Sequence, residues 1–441
     1  MLLAALVLKT GEIMSSGHHL KLCLTAGSIL IYGVAGDGAA EAADAFGMRP
    51  QSTYFLGASN AGAAAGGDVS SVIWNSAATT VAPGLNSSSS YTAIAVSLDE
   101  TAYGGKFVEA GLRRTTDSGT TRAAAASVYT YQINDQLYAG LAMYAPFGLV
   151  TKPDNYWAGS PAASTQRIFS VDVNPTLGYK ITPNLSIGVG VQALYYQTRL
   201  NSGAFGSVAG TAFRGDDWGV GGTAGLLWEV VPGTSVGIGY RSAVSLELDG
   251  SYRGPGVYTR ATLDQTMPDQ VTWSLRHAVL PGFTLLGTAQ WENWSRIDNL
   301  VVTSNSGAGT VINLNLRDSW YFAVGAEYQY SPDITIRAGV GYDSSPVTDF
   351  NRNPGLPDSN NVLLSLGGSY NWSQSIRLDA AYAHAFFDDA PFCIGDGAGT
   401  SHCVSSEQAV LVRGSSDNSA DVFSVGLKYS LVPAVELEPY K

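Results

Sequence analysis

The chain has 441 residues, 14% of them charged, with a formal net charge of -12, 51 glycines, 23 tyrosines and 9 tryptophans. Soluble domains carry about a quarter charged residues, and an acidic chain without a basic cluster offers no nucleic-acid-binding surface. Beyond the N-terminal region no uncharged apolar run reaches the roughly 18 residues that a spanning helix needs, which leaves a large soluble β protein or a transmembrane β-barrel.

From Met14, an alternative start, a polar and weakly basic stretch runs to Lys21. An apolar segment from Leu22 to Val34 and then Ala40-Glu41-Ala42 follow. This is the pattern of a secretory signal over residues 1–42, cleaved after Ala42, and the apolar part is too short for a membrane anchor. Residues 43–84 are rich in Ala and Gly and show no alternation. A segment so poor in large side chains cannot build its own core, so its expected place is the lumen of a barrel, as a plug.

From about residue 85 to residue 431, segments of nine or more residues alternate apolar with small or polar side chains, which is a strand period. Examples are Leu185, Ile187, Val189, Val191, Ala193 and Tyr195, then Trp320, Phe322, Val324, Ala326, Tyr328 and Tyr330. One apolar and one wet face is the pattern of a strand between lipid and lumen. Tight turns such as Ile181-Thr182-Pro183-Asn184 and Val231-Pro232-Gly233-Thr234 alternate with long connections such as Thr151 to Thr165 and Asn201 to Asp216. The expected fold is therefore an all-β, transmembrane antiparallel β-barrel of about 14 strands, with a tail over residues 432–441. Aromatics near strand ends (Tyr195 and Tyr196, Trp291 and Trp294, Tyr328 and Tyr330, Phe386 and Phe387) are expected at the membrane interfaces.

With Cys23 inside the signal, Cys393 and Cys403 are left, and a disulfide between them suits an exported protein. The alternative, a metal site completed by His402, has too few ligands for zinc. No metal or cofactor is expected. A barrel lipase would need a serine, a histidine and an orienting group on one face. The histidines of the mature chain are His277, His384 and His402, and His384 shares outward parity with Ile376, Leu378 and Tyr382, so the expectation is a protein that is not an enzyme.

Phe46, Gly57, Ala58, Ala61, Gly62, Asp68 and Trp74-Asn75-Ser76-Ala77 resemble the N-terminal hatch of the FadL family of long-chain fatty acid and hydrophobic compound transporters, with Ser76 where the family's motif has proline. The resemblance extends through Ile133-Asn134-Asp135-Gln136, the segment Tyr144 to Val150, Trp218-Gly219, Tyr240-Arg241-Ser242, Trp294-Ser295, Gly341 to Val347 and Leu356-Pro357-Asp358. It implies a monomeric 14-stranded barrel of the bacterial outer membrane, plugged by its hatch. Such a barrel captures hydrophobic molecules at the cell surface and releases them sideways at an inward kink of its third strand. Here that strand runs Leu137 to Leu149 and contains Pro146 and Gly148, which break or bend a ladder; a strand end at Pro146 satisfies the same rule. Gly148 is expected to face the motif of Asn75, Ser76 and Ala77.

The resemblance assigns ligand contact to Phe46, for which a packed plug residue is the alternative. It assigns the outer capture groove to the loops with Tyr156, Trp157, Phe205 and Phe213. Where the family holds a carboxylate, this chain has Ser202 and Ile312; Arg317 is the substitute candidate, whereas Arg199 has lipid-facing parity and suits lipopolysaccharide phosphate. The expected function is passive transport of long-chain fatty acids or similar molecules. The alternative is a channel for uncharged aromatic or aliphatic hydrocarbons; a general porin needs a charged open lumen, and a structural or adhesive barrel would conduct nothing. Outer-membrane lipid is the expected surrounding partner.

Overall fold

A computed structural model describes residues 45–204, 210–307, 309–395 and 409–431. The signal over residues 1–42, Cys403, Phe205 and the tail over residues 432–441 lie outside the described residues. Fourteen antiparallel strands form a closed ring, in which each pairs with its chain neighbours and the last returns to the first. They are β1 (Leu85–Gly104), β2 (Thr121–Gln132), β3 (Leu137–Tyr144 and Gly148–Thr151), β4 (Gln166–Thr182), β5 (Leu185–Asn201) and β6 (Ala212–Val231). The ring continues through β7 (Thr234–Arg241 and Val244–Gly254), β8 (Val257–Met267 and Gln270–Leu280), β9 (Phe283–Glu292 and Asn299–Ser304) and β10 (Gly309–Asn313 and Ser319–Gln329). It closes with β11 (Ile334–Asp343), β12 (Asn361–Asn371), β13 (Ile376–Phe387 and Ala390–Gly395) and β14 (Val410–Leu431).

Closure follows from the alternation. Val189, Val191, Val220, Val324, Leu366 and Val425 are exposed on the outer wall, and Gln192, Thr272, Gln290, Ser365 and Ser424 are buried inside. An exposed apolar girdle this continuous is stable only against lipid. Tight turns gather at one end, where Gly233 and Gly282 take φ of +81° and +78°, values that side-chain-bearing residues resist. Long connections such as 152–165 gather at the other, which is the outer end of such barrels.

Residues 45–84 are buried against the inward faces of these strands. A short helix (Thr53–Leu56) and two 3-10 turns (Val69–Ile73 and Ser76–Thr80) are capped by the side chains of Ser52, Asp68 and Asn75, the residue types that best satisfy free N–H groups at a helix start. Strand glycines let this segment approach. A Cβ on Gly188 would strike Ser76 and Ala77, on Gly225 Asn75, on Gly237 Ala64, on Gly239 Trp74, and on Gly339 Ala58.

Three local expectations differ from the structure. Tyr196 and Trp294 are fully buried inside rather than at an interface; strict alternation with the outward Tyr195 puts Tyr196 inward, and Trp294 lies in the non-strand stretch between the two parts of β9, where alternation stops. The connection taken to run to Asp216 is shorter, because β6 begins at Ala212.

Gly239→Val is expected to lower the fraction of folded barrel on unheated gels, by overpacking of about 1–3 kcal/mol or more. Gly222→Val, where a Cβ would meet only the Gly190 carbonyl at 3.9 Å, is expected to leave it unchanged. Equal behaviour of the two variants would mean that the close approach at Gly239 is not what seats the inner segment.

Candidate functional site

Toward the outer end the lumen turns apolar. Phe46 packs edge-on against Trp294 at 4.7 Å between ring centroids and against Phe147 at 6.2 Å. The same cluster holds Tyr196, Phe213, Leu248 and Leu263. Beside Phe46 lies a cavity of about 350 Å³ lined by Leu149, Ile168, Leu200, Ile312 and Leu356, with Gln166, Asn201, Ser202, Thr211 and Asn353 as neutral polar groups. Among the described residues no charged side chain lines it. Its volume is in the range of small-molecule sites.

The wall beside Phe46 is interrupted. Pairing of β2 with β3 stops at Ser127 and Met143, so Thr121 to Ala126 pair with β1 but not with β3, and Gly148–Thr151 pairs with β4 but not with β2. Between the two parts of β3 stand Ala145, Pro146 and Phe147. Proline lacks the N–H that a ladder requires, and the neighbouring groups turn inward for partners. Met48 N donates to the Pro146 carbonyl at 2.8 Å, Gly148 N to the Phe46 carbonyl at 2.8 Å, and Phe147 N to Ser170 Oγ at 2.9 Å. Met48, Ile94, Ala124 and Ala145 make the surface here apolar. Above the interruption the wall closes again, with Lys152 N donating to Ser118 O at 3.1 Å.

Below Phe46 the interior becomes ionic. Arg49 pairs with Asp343 and with Glu292 at 3.3 Å, and lies over the Tyr321 ring at 4.4 Å. Closer to the tight turns, Tyr54 sits under Arg337 and Arg377 and donates to Glu327 at 2.6 Å. Glu327 also binds Arg276 at 3.0 Å and Arg337 at 2.7 Å. Asp68, fully buried, accepts from Arg377 at 2.7 Å and lies 3.2 Å from Lys428. This lattice ties the inner segment to β8, β9, β10, β11, β13 and β14.

The family described as Outer membrane protein transport protein (OMPP1/FadL/TodX) matches residues 38–431. The chain belongs to this family. Among its relatives, the long-chain fatty acid transport protein of Escherichia coli O6:H1 is 25% identical over 312 residues, covering 60% of this chain and 70% of that one. A solved Pseudomonas aeruginosa FadL homologue superimposes with a TM-score of 0.78 at 21% identity, covering 87% of this chain and 99% of that one. The toluene transporter TodX of P. putida gives 0.68 at 16% identity, covering 88% and 100%. Family membership places this FadL/TodX protein in the outer membrane.

Within this FadL/TodX barrel the sequence-derived residues separate. Phe46, Ser202 and Ile312 line the cavity, and Phe213 belongs to the apolar cluster around it. Pro146 lies within the interruption and Gly148 at its edge, but Gly148 meets Phe46 and not the Asn75 motif. That motif lies on β5 and β6 instead, where Asn75 Nδ2 donates to the Leu226 carbonyl at 2.9 Å, Ser76 Oγ is 2.8 Å from Thr223 Oγ1, and Ala77 sits against Gly188.

Arg317 is exposed and donates to the Ser345 carbonyl at 3.0 Å. Arg317 does not line the cavity, so it is not among the groups that a bound carboxylate would meet there. Tyr156 is exposed on its loop, whereas Trp157 is fully buried edge-on to Phe392 and donates to the Arg114 carbonyl, so it holds the loop together rather than lining a groove. Cys393 is disulfide-bonded. Trp294, expected at a membrane interface, instead packs on Phe46, and the partners of Asp68 were not marked by the sequence. The signal for Trp294 was its position outside any alternating run; nothing local marks Arg377 and Lys428 as partners of Asp68.

Burial pushes the Asp68 carboxyl up, but Arg377, Lys428 and hydrogen bonds from Ser70 pull it further down, well below the usual carboxylate range. A depressed folded value contributes stability that is fully present above the unfolded pKa of about 4 and is lost as pH falls below it. Hydrogen-exchange protection of residues 53–74 is therefore expected to be level from about pH 5 upward and to decline below about pH 4. Asp68→Asn is expected to cost about 3–5 kcal/mol at neutral pH, as for removal of one partner of a buried ion pair, and to flatten the acid decline. If wild type and variant decline in parallel, Asp68 is not the anchor.

Proposed function

We propose that the chain is a passive channel that takes hydrophobic small molecules from the outer surface into the cavity beside Phe46 and releases them sideways at the break in β3. In this reading residues 43–84 act as the hatch, after removal of residues 1–42 as a signal, and the barrel works as a monomer surrounded by outer-membrane lipid and lipopolysaccharide. The observation that carries the reading is a neutral, largely apolar cavity beside the one place where β2 and β3 are unpaired. An apolar molecule continuing straight down would have to displace the Arg49 ion pairs, and breaking a buried pair costs about 3–5 kcal/mol. Sideways it meets Met48, Ile94, Ala124 and Ala145.

Phe46 serves as the movable wall between cavity and break, since its ring borders both. The neutral lining favours an uncharged substrate, the class transported by TodX according to its description as a toluene transporter. A long-chain fatty acid is the second reading. It is supported by the E. coli relative and by Arg122, which pairs with the inward Ile94 on the β2 edge of the break.

Uptake of a long-chain fatty acid and of a neutral hydrocarbon of similar size by cells with and without the protein separates these readings. Uptake of the hydrocarbon is expected, with Ala124→Trp reducing it at least about tenfold by filling the lateral route while equilibrium binding of the ligand is retained. Phe46→Ala is expected to weaken binding itself by about tenfold through loss of aromatic contact. Unchanged uptake in Ala124→Trp would eliminate sideways release, and uptake of the acid alone would make the fatty acid reading the correct one.

A further inference from the structure

On the outer wall, three arginines stand abreast. Arg167 of β4 is paired with Arg199 of β5, and Arg199 with Arg214 of β6. Arg199 and Arg214 are exposed and Arg167 is half-buried. Side chains directly opposite on neighbouring strands lie about 5 Å apart, and like charges so placed destabilise a sheet. At the centre of the row the Arg199 guanidinium reaches the neutral Asn201 amide at 3.5 Å. The row passes through Ser251 of β7 to Arg260 of β8. Acids begin one outward position lower, at Asp216 and Asp249, so the positive field is greatest over β4 and β5.

The depth of this row identifies its occupant. Leu185 to Arg199 is a rise of 14 residues from the tight-turn end, or about 35 Å for a strand tilted by about 40°, beyond the upper edge of an apolar band of about 25 Å. Just beneath, Phe169, Tyr195 and Trp218 pack ring to ring at 6.3 and 5.3 Å on the same outward face. Lower still come the exposed Val189, Val191 and Val220. Acyl chain, interface and anionic head are thus matched in order by valines, aromatic rings and guanidinium groups.

We infer that the Arg167, Arg199 and Arg214 row is a docking site for the phosphates of a lipid A molecule in the outer leaflet, with its acyl chains along the outer faces of β4, β5 and β6. Guanidinium groups bind phosphate through paired, charge-assisted hydrogen bonds, and a bound phosphate turns the repulsion of the row into attraction. The inference rests on the proposed surroundings of lipopolysaccharide but not on the transport route, since these residues face away from the cavity.

The test uses the full chain in nanodiscs and measures binding of lipid A, dephosphorylated lipid A and phosphatidylglycerol, with inorganic phosphate as competitor. Phosphorylated lipid A is expected to bind at least about tenfold more tightly than the dephosphorylated form. That preference is expected to disappear in the triple variant Arg167→Gln, Arg199→Gln, Arg214→Gln, with hydrocarbon uptake unaltered. Removing like charges is expected to leave folding intact; should the triple variant not fold, Arg199→Gln alone is expected to lose most of the preference. A preference that survives in the folded variant places the lipid elsewhere and overturns the site. Equal binding of phosphatidylglycerol, or displacement by millimolar inorganic phosphate, overturns the assignment to lipid A. Loss of uptake with lipid binding intact would count against the transport reading and leave this one standing.

Discussion

A wall that stands in lipid must satisfy its backbone hydrogen bonds from within, because the surrounding hydrocarbon supplies none. This barrel meets that constraint over most of its wall, but ladder pairing stops where β2 and β3 part, as it also does between β6 and β7 over Asp217 to Gly222. At the parting of β2 and β3 Pro146 removes a donor, and the partners come instead from Phe46, Met48 and Ser170. The inner segment is therefore part of the wall's hydrogen bonding as well as an occupant of the lumen. Phe46, whose ring borders the cavity, uses its own carbonyl to hold Gly148. A displacement of this residue would alter the cavity and the break together.

The lumen is divided by chemistry. Neutral groups line the cavity beside Phe46 and aromatic rings pack on that residue, while Arg49, Glu327, Asp68 and their partners form an ionic layer closer to the tight turns. Buried ion pairs are weak evidence of stability, because desolvation offsets much of their attraction. They are strong barriers to an apolar molecule, which would have to separate them without replacing their hydrogen bonds. The same lattice therefore anchors the inner segment and, in the proposed reading, closes the way straight down.

Much of the fold was legible in the sequence. Period-2 alternation reports which residues face lipid, because one face of each strand meets hydrocarbon and the other a mostly polar interior. Hence the number of strands and the tight turns were readable, and so was the interruption at Pro146. Errors arose where alternation ends or was applied loosely. Trp294 lies outside a strand, Tyr196 follows an outward tyrosine, and Trp157 belongs to a loop whose packing onto Phe392 depends on a segment more than two hundred residues away.

The wall is written in the chain locally, since each strand carries its inside and outside in its own order of side chains. The interior is set by the folded barrel instead. Arg317 binds the Ser345 carbonyl and lies outside the cavity lining, and Gly148 meets Phe46 of the inner segment rather than Asn75. Asp68 meets Arg377 and Lys428 only after the ring has closed. The physical reason is range. Alternation is local, acting between residues two apart, whereas the partners within a closed barrel are set by curvature and register across strands distant in the chain.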